Sequence, residues 1–220
     1  SCSWFKKLFQ NKDPKLAQIV HTSISSYLIG IKDIVYPYEE HSLLYPKRSG
    51  IEFSEWSHGL GPISPHSDDI YENIEVNVLS ITISRDETNT KTKFYLIKDL
   101  IKILTKKELE SLSSIEAVFI SGKNVRDKVI KKTRKIREFY NGKERFNFDF
   151  RIDNIVGERM QTDIPEDKRI LDKLRQNIDF CNYVISDGQT GTFVAIDNFS
   201  VLHARDALPP MEIKNKLEDS

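Results

Sequence analysis

The sequence has little cysteine and no long apolar run. Only two of its 220 residues are cysteine, Cys2 and Cys181, so no disulfide framework is visible and a cytoplasmic location is expected. No apolar run approaches about 18 residues, which predicts that no helix spans a membrane. The start, Ser1 to Lys7, lacks both a signal-peptide layout and an initiator Met. We therefore expect a single domain over residues 1–220, and clipping at both ends is left open.

The sequence also has no excess of charge of either sign. Lys+Arg and Asp+Glu are both 33, which gives a formal net charge of zero. Neither nucleic acid nor a membrane is therefore an expected partner. A basic cluster remains between residues 123 and 145, and it has two interpretations: a solvated helix face or hairpin, or a docking patch for an anion or a substrate carrier. Base-stacking aromatic residues are not interleaved with it.

The hydrophobic pattern predicts many strands and few helices. Helices are predicted at 13–29, within 98–112 as two short helices, and at 163–178; strands are predicted at 75–84, 92–97, 117–121, 179–186 and 191–197. Residues 145–153 alternate apolar and polar side chains, which predicts a strand with one buried face. Because strands and helices do not alternate in a βαβ pattern, the expected fold is a mainly antiparallel barrel or sandwich.

Two motifs about 135 residues apart carry the strongest chemical signal. In the first, His66-Ser67-Asp68, an extended backbone places His66 and Asp68 on one face, with Ser67 pointing away. The second contains His203, which follows an apolar strand. Two histidines and one carboxylate form the facial triad of non-haem Fe(II) oxygenases, and the lack of a thiolate argues against structural zinc. The other histidines, His21, His41 and His58, are interpreted as core or surface residues.

The residues around His203 resemble a known family. The pattern Asp197-Asn198-x-x-x-Leu202-His203-x-Arg205, after a strand that follows a glycine turn, is similar to the distal-histidine motif of Fe(II)/2-oxoglutarate-dependent oxygenases. It looks most like the clavaminate synthase-like, TauD-type branch. The resemblance extends from about residue 59 to 210. It implies a mainly β fold with flanking helices and a double-stranded β-helix core, the jelly roll of cupin-like proteins.

The resemblance also implies roles for particular residues. His66, Asp68 and His203 would ligate Fe(II), and 2-oxoglutarate and O2 would be co-substrates. Thr92 lies 24 residues after Asp68, where the family often has a threonine that touches 2-oxoglutarate. Arg205 is either a structural partner or a residue that lines the co-substrate site. Asp197 and Asn198 are expected to shape the turn rather than touch substrate.

One departure from the family pattern concerns the co-substrate. The family has an arginine beyond the distal histidine that clamps the far carboxylate of 2-oxoglutarate, but Arg205 is the last arginine here. Lys214 and Lys216 lie in the corresponding window. Three interpretations remain open: a lysine substitutes, the C-terminal strand is missing or rebuilt, or co-substrate binding is impaired.

The expected reaction is hydroxylation of a small metabolite. Because Asp68 occupies the carboxylate position, hydroxylation is favoured over halogenation. This branch often acts on free amino acids, and Asp69 and Glu72 could bind a substrate ammonium or guanidinium, which favours a basic amino acid. Their alternative role is that of solvated or capping carboxylates. Two further alternatives are a degenerate oxygenase-like fold that acts as a binding protein, and a metal-dependent enzyme that does not use 2-oxoglutarate.

Overall fold

The computed structural model describes residues 14–29, 61–68, 70–72, 76–83, 89–122, 129–186 and 189–208. The helices in these ranges are α1 (Pro14–Ile29), α2 (Ile97–Leu100), α3 (Lys106–Ser111) and α4 (Pro165–Asn177), with 3-10 turns at Ile101–Ile103 and Ile178–Phe180. The strands are β1 (Ile63–His66), β2 (Val78–Thr82), β3 (Thr92–Leu96), β4 (Glu116–Ile120), β5 (Lys131–Lys135), β6 (Arg137–Tyr140), β7 (Lys143–Phe146), β8 (Ile152–Asp153), β9 (Gly157–Glu158), β10 (Met160–Gln161), β11 (Tyr183–Ser186), β12 (Phe193–Asp197) and β13 (Val201–Arg205). This part of the chain is therefore mainly β.

The largest sheet has four antiparallel strands in the order β1-β13-β3-β11. On its central strands, Leu202, Ala204 and Tyr95 are buried in the hydrophobic core. Because successive side chains of a strand point to opposite faces, His203 and Phe94 lie on the other face. One face of this sheet therefore packs on the core, and the other carries the distal histidine.

The remaining strands form smaller antiparallel sheets. Their orders are β10-β4-β5, β12-β2, β6-β7 and β8-β9. The β6-β7 hairpin turns at Asn141-Gly142, and both residues have positive φ, as the tight turn between two strands requires. Helix α1 lies against β2, where His21 hydrogen-bonds Thr82 at 2.5 Å and Ser80 at 3.0 Å. This contact agrees with the interpretation of His21 as a structural residue.

Helices α3 and α4 are joined through Glu108. Thr105 and Glu108 form the capping box at the start of α3, with the Thr105 N–H donating to Glu108 Oε2 at 2.8 Å. The same carboxylate accepts from Lys173 at 2.8 Å and Arg169 at 3.1 Å, both on α4. On the opposite side of α4, Ile170, Leu171 and Leu174 are buried in the core.

Most predicted elements agree with the structure, but the single strand predicted at residues 145–153 is wrong. Strand β7 ends at Phe146 and β8 begins at Ile152, and the segment does not have a single buried face. Phe146, Phe148 and Phe150 are buried as expected. The alternate residues are buried as well: Arg145, Asn147, Asp149 and Arg151. Around Asp149 the segment runs beside β1, with Ser67 N–H donating to the Phe148 carbonyl at 2.9 Å and Phe150 N–H to the Pro65 carbonyl at 3.1 Å. Nearer its start, Asn147 donates to the Lys135 carbonyl and to Glu138, and Arg145 lies over the Phe199 ring. Its polar face is thus covered rather than solvated.

A second difference concerns the strand predicted at residues 75–84. The strand within it is β2, and its five side chains are half-buried rather than buried. It pairs with β12, and α1 covers part of it through Ser25, whose hydroxyl hydrogen-bonds Ser80 at 3.3 Å. Among the described residues, no helix is both long and apolar enough to cross a membrane.

We expect the Glu108→Gln variant to be less stable than the parent and less sensitive to acid. Hydrogen bonds from Lys173, Thr105 and Arg169 lower the pKa of Glu108 to about 2 from 4.5. A lowered folded-state pKa stabilises the fold above pH 4.5, and this contribution is lost as the pH falls toward about 2. Thermal unfolding between pH 2 and 7 should show a Tm lower by a few degrees at neutral pH and a smaller further fall in acid.

The control for this prediction is Glu110→Gln, on the same helix. Glu110 is exposed and pairs with Lys106 at only 4.0 Å. Exposed pairs contribute little, so this variant should reproduce the parent curve. Identical acid sensitivity in the Glu108 variant and the parent would contradict the claim that the lowered pKa of Glu108 stabilises the fold.

Candidate metal centre

Three side chains from the two sequence motifs meet beside the β1-β13 strand pair of the four-stranded sheet. His66 Nε2 lies 3.3 Å from Asp68 Oδ1, and His203 Nε2 lies 3.7 Å from Asp68 Oδ2. One potential ligand atom from each residue lies within 4.8 Å of the others. In the described part of the chain, this is the one group of histidine, cysteine, aspartate or glutamate side chains close enough together to hold a metal ion.

The pairing of β1 with β13 brings the two histidines together. His66 is directly opposite His203 in this antiparallel pair, and the ring centroids are 4.2 Å apart. Directly opposed side chains of antiparallel strands point to the same face. A register irregularity between Ile63 and His66 sets this pairing, since Ile63 is opposite Arg205.

The orientation of His66 is fixed by a main-chain carbonyl. Its Nδ1 lies 2.8 Å from the carbonyl oxygen of Ser64, which can only accept a hydrogen bond. Nδ1 therefore carries the proton, and the lone pair is left on Nε2, the nitrogen that faces Asp68. A carbonyl that binds the second nitrogen is the usual way in which proteins orient a metal-binding histidine.

The Asp68 main chain is held by a buried asparagine from the turn before β13. Asn198 Oδ1 accepts from the Asp68 N–H at 3.0 Å, and Asn198 Nδ2 donates to the Asp68 carbonyl at 3.1 Å and the Val76 carbonyl at 3.0 Å. Asp197 shapes the turn itself, since its carboxylate accepts from Phe199 N–H and the Ser200 hydroxyl. The expectation that these two residues have structural roles agrees with this geometry.

The charges of the three residues suit a cation. Burial lowers the pKa of His203 to about 3, and the neighbouring His66 acts in the same direction. Burial alone would raise the pKa of Asp68, but His203 and His66 lower it well below its usual range. At pH 7 His203 is therefore neutral and Asp68 is ionised, which are the states that a metal ligand needs.

The donor set fits a hard or borderline divalent ion. Ligand atoms about 2.1 Å from an octahedral ion lie about 3 Å apart when adjacent. The separations of 3.3 Å from His66 to Asp68 Oδ1 and 3.7 Å from His203 to Asp68 Oδ2 are slightly wider than this. Two imidazoles and a carboxylate on one face leave the remaining coordination positions to other molecules.

The row of residues next to the row of His203 carries polar side chains on β13, β3 and β11. Thr92 is opposite Arg205 on one side and Ser186 on the other, so all three side chains share the face of His203. The Ser186 hydroxyl is buried and has no hydrogen-bond partner within the described residues. Arg205 donates from Nη2 to the Gly61 carbonyl at 2.9 Å, and burial lowers its pKa to about 10. Ser186 was not singled out in the sequence, because nothing local to it indicates the pairing with Thr92.

Of the remaining candidate residues, some lie within the described ranges and others do not. Asp69, Lys214 and Lys216 lie outside the described residues, as do His41 and His58. The main-chain carbonyl of Glu72 accepts hydrogen bonds from Lys132 and Arg134 of β5, so two members of the basic cluster bind the segment that follows the first motif. Residues 123–128 of that cluster are also outside the described residues.

A buried ion pair beside His66 was missed by sequence reasoning. Asp149 forms an antiparallel bridge with His66, and its carboxylate is bound by both Nε and Nη2 of Arg151 at 2.8 and 2.7 Å. The alternation of residues 145–153 is the available signal, but alternation alone predicts a solvent-facing polar row. The burial of Asp149 depends on β1, which is distant in sequence.

Comparison with known proteins identifies the fold. No protein-family model matches the sequence, and a search of curated proteins finds no match. Among solved structures, asparagine oxygenase in complex with Fe(II), 2S,3S-3-hydroxyasparagine and succinate has a TM-score of 0.61 and 12% identity, covering 77% of this chain and 51% of that one. The non-heme iron oxygenase OrfP with Fe and alpha-ketoglutaric acid has a TM-score of 0.56 and 14% identity, covering 76% and 51%.

These similarities confirm the predicted fold, which is mainly β with flanking helices around a cupin-like core. The resemblance to Fe(II)/2-oxoglutarate oxygenases is thus confirmed at the level of the fold. The chain spans about half of the length of these solved structures.

We expect Asn198→Ala to destabilise the protein by about 2 kcal/mol, because the buried Asp68 N–H and two carbonyls lose their partner. The measurement is urea unfolding at equilibrium. Asn182→Ala, which removes an exposed amide, is the control and should change the free energy of unfolding by less than about 0.5 kcal/mol. Equal stability of the two variants would show that Asn198 does not hold the Asp68 segment.

Proposed function

We propose that this chain is a non-haem Fe(II)- and 2-oxoglutarate-dependent oxygenase of the clavaminate synthase-like type that hydroxylates a small metabolite. The observation that carries the proposal is the convergence of His66, Asp68 and His203 on one face, with His66 oriented through Ser64. The fold supports it, because the similar structures named above contain iron.

In this proposal the three side chains hold Fe(II). The bound iron supplies activation of O2, coupled to conversion of 2-oxoglutarate to succinate and CO2 and insertion of one oxygen atom into a substrate C–H bond. The protein holds the ligands on one face, keeps His203 neutral through burial, and fixes the Asp68 main chain through Asn198. These features leave one side of the metal for co-substrate, O2 and substrate.

The far carboxylate of 2-oxoglutarate is assigned to the polar row next to the row of His203. Thr92 and Ser186 supply hydroxyl groups, and Arg205 supplies a cation, all on the face of His203. The Ser186 hydroxyl, which is buried and has no hydrogen-bond partner among the described residues, favours this row as an anion site. Arg205 then takes the charge-pairing role that the family gives to a later arginine, whereas Lys214 and Lys216 are the alternative cations.

The substrate class in this proposal is a free amino acid, and a basic one is favoured. Asp69 and Glu72 follow the first motif and would supply negative charge toward an ammonium or guanidinium group. Solved structures of similar fold are described with hydroxyasparagine and with (3S)-hydroxy-L-Arg. An amino-acid screen that follows succinate formation would identify the substrate.

The proposal is tested by anaerobic titration with Fe(II), with and without 2-oxoglutarate. The parent should develop the weak visible charge-transfer band of a chelated keto acid, and His203→Ala should lose it because one of three ligands is gone. His21→Ala, which removes a histidine bound to Thr82, is the matched control and should keep the band. Iron binding without the band would favour a metal enzyme that does not use 2-oxoglutarate, and failure to bind iron would favour a binding protein.

The assignment of the polar row gives a separate prediction. Arg205→Met should weaken 2-oxoglutarate binding to the Fe(II) protein by about tenfold or more, since one charged pair is lost. It should leave the binding of 2-oxopentanoate, which lacks the far carboxylate, nearly unchanged. Affinities are read from the charge-transfer band, with Lys214→Met/Lys216→Met as the comparison. If only the lysine variant loses selectivity for 2-oxoglutarate, the lysines form the clamp instead.

A further inference from the structure

The ion pair between Asp149 and Arg151 is buried although neither residue belongs to the metal-binding group. Asp149 is 1% exposed and Arg151 is 7% exposed. The pair is bidentate, and Asp149 Oδ1 also accepts from the Arg151 main-chain N–H at 3.1 Å. A buried ion pair is seldom more stabilising than apolar residues of similar volume, so its position near a functional group points to another role.

Asp149 is a direct neighbour of a metal-ligand candidate. It is bridged to His66, and the hydrogen bonds of Ser67 and Phe150 on either side fix the two segments in antiparallel register. Opposed residues in such a pair point to the same face, with Cβ atoms about 5 Å apart. The Asp149 carboxylate therefore lies on the side of His66 where the metal would be held.

We propose that Arg151 is a positioning residue that holds the Asp149 carboxylate away from the metal, so that the centre keeps three protein ligands. This inference rests on the proposed Fe(II) centre. A free carboxylate beside His66 is a good ligand for Fe(II) and would compete with the keto acid for an open position. The Arg151 guanidinium binds both oxygens of the Asp149 carboxylate and so prevents the carboxylate from binding the metal.

The test compares Arg151→Met with the double variant Asp149→Asn/Arg151→Met. In the single variant, the released Asp149 should bind the metal, so Mn(II) affinity should be equal to or tighter than that of the parent. Affinity of the Fe(II) protein for 2-oxoglutarate should fall by tenfold or more. In the double variant, the competing carboxylate is absent, and 2-oxoglutarate affinity should return to within about threefold of the parent.

Loss of a different buried arginine provides the control. Arg145 is 2% exposed, and its Nε lies 3.8 Å from Glu138 Oε1. Arg145→Met should lower the Tm but leave Mn(II) and 2-oxoglutarate binding unchanged. If Arg151→Met does not fold, Arg151→Lys replaces it, because lysine keeps the charge but cannot bind both oxygens of the Asp149 carboxylate at once.

The outcomes separate this inference from the proposed function. If the parent binds no metal or no keto acid, the proposed function fails. If the parent binds both, the inference is overturned by unchanged 2-oxoglutarate binding in the Arg151 variant, or by a loss that the added Asp149→Asn change does not restore. Restoration by the double variant supports it, because a purely structural role for Arg151 would leave both variants impaired.

Discussion

The site depends on one strand pairing, that of β1 with β13. It places His66 opposite His203, although the two residues are about 135 positions apart in the sequence. A shift of the pairing by one residue would turn one imidazole to the core face of the sheet, where Leu202 and Ala204 lie. Two contacts therefore hold the register of this strand pair. One is apolar burial on the core face, and the other is the segment around Asp149, which pairs with the edge of β1 that faces away from β13.

Around this pairing, polar groups are fixed by short-range contacts rather than by solvent. The Ser64 carbonyl orients His66, Asn198 holds the Asp68 main chain, and Arg151 binds Asp149. The free-energy cost of burying each of these polar groups is small only while its hydrogen-bond partner is present. The environment of His66, Asp68 and His203 is thus determined by segments that meet only in the folded chain.

Much of the fold could be predicted from the sequence, because helices, caps and strands have local signals. The grouping of His66, Asp68 and His203 was expected from their residue types and from the resemblance to the oxygenase family, and the structure brings the three side chains together. The helical spacing of Ile170, Leu171 and Leu174 predicts α4, and the capping box at Thr105 predicts the start of α3. Asn141-Gly142 is a residue pair that favours a tight hairpin turn, and β6 and β7 form that hairpin. The burial of Asp149 and the pairing of Thr92 with Ser186 could not be predicted, since both depend on strands that are distant in sequence.

The central claim is that His66, Asp68 and His203 bind a single iron ion together. X-ray absorption at the iron edge of the anaerobic Fe(II) protein tests it most directly, because imidazole rings give a distinct scattering pattern. The account predicts two imidazole ligands with otherwise oxygen or nitrogen donors, and one imidazole after His203→Ala. A spectrum without imidazole, or one that His203→Ala leaves unchanged, would contradict it.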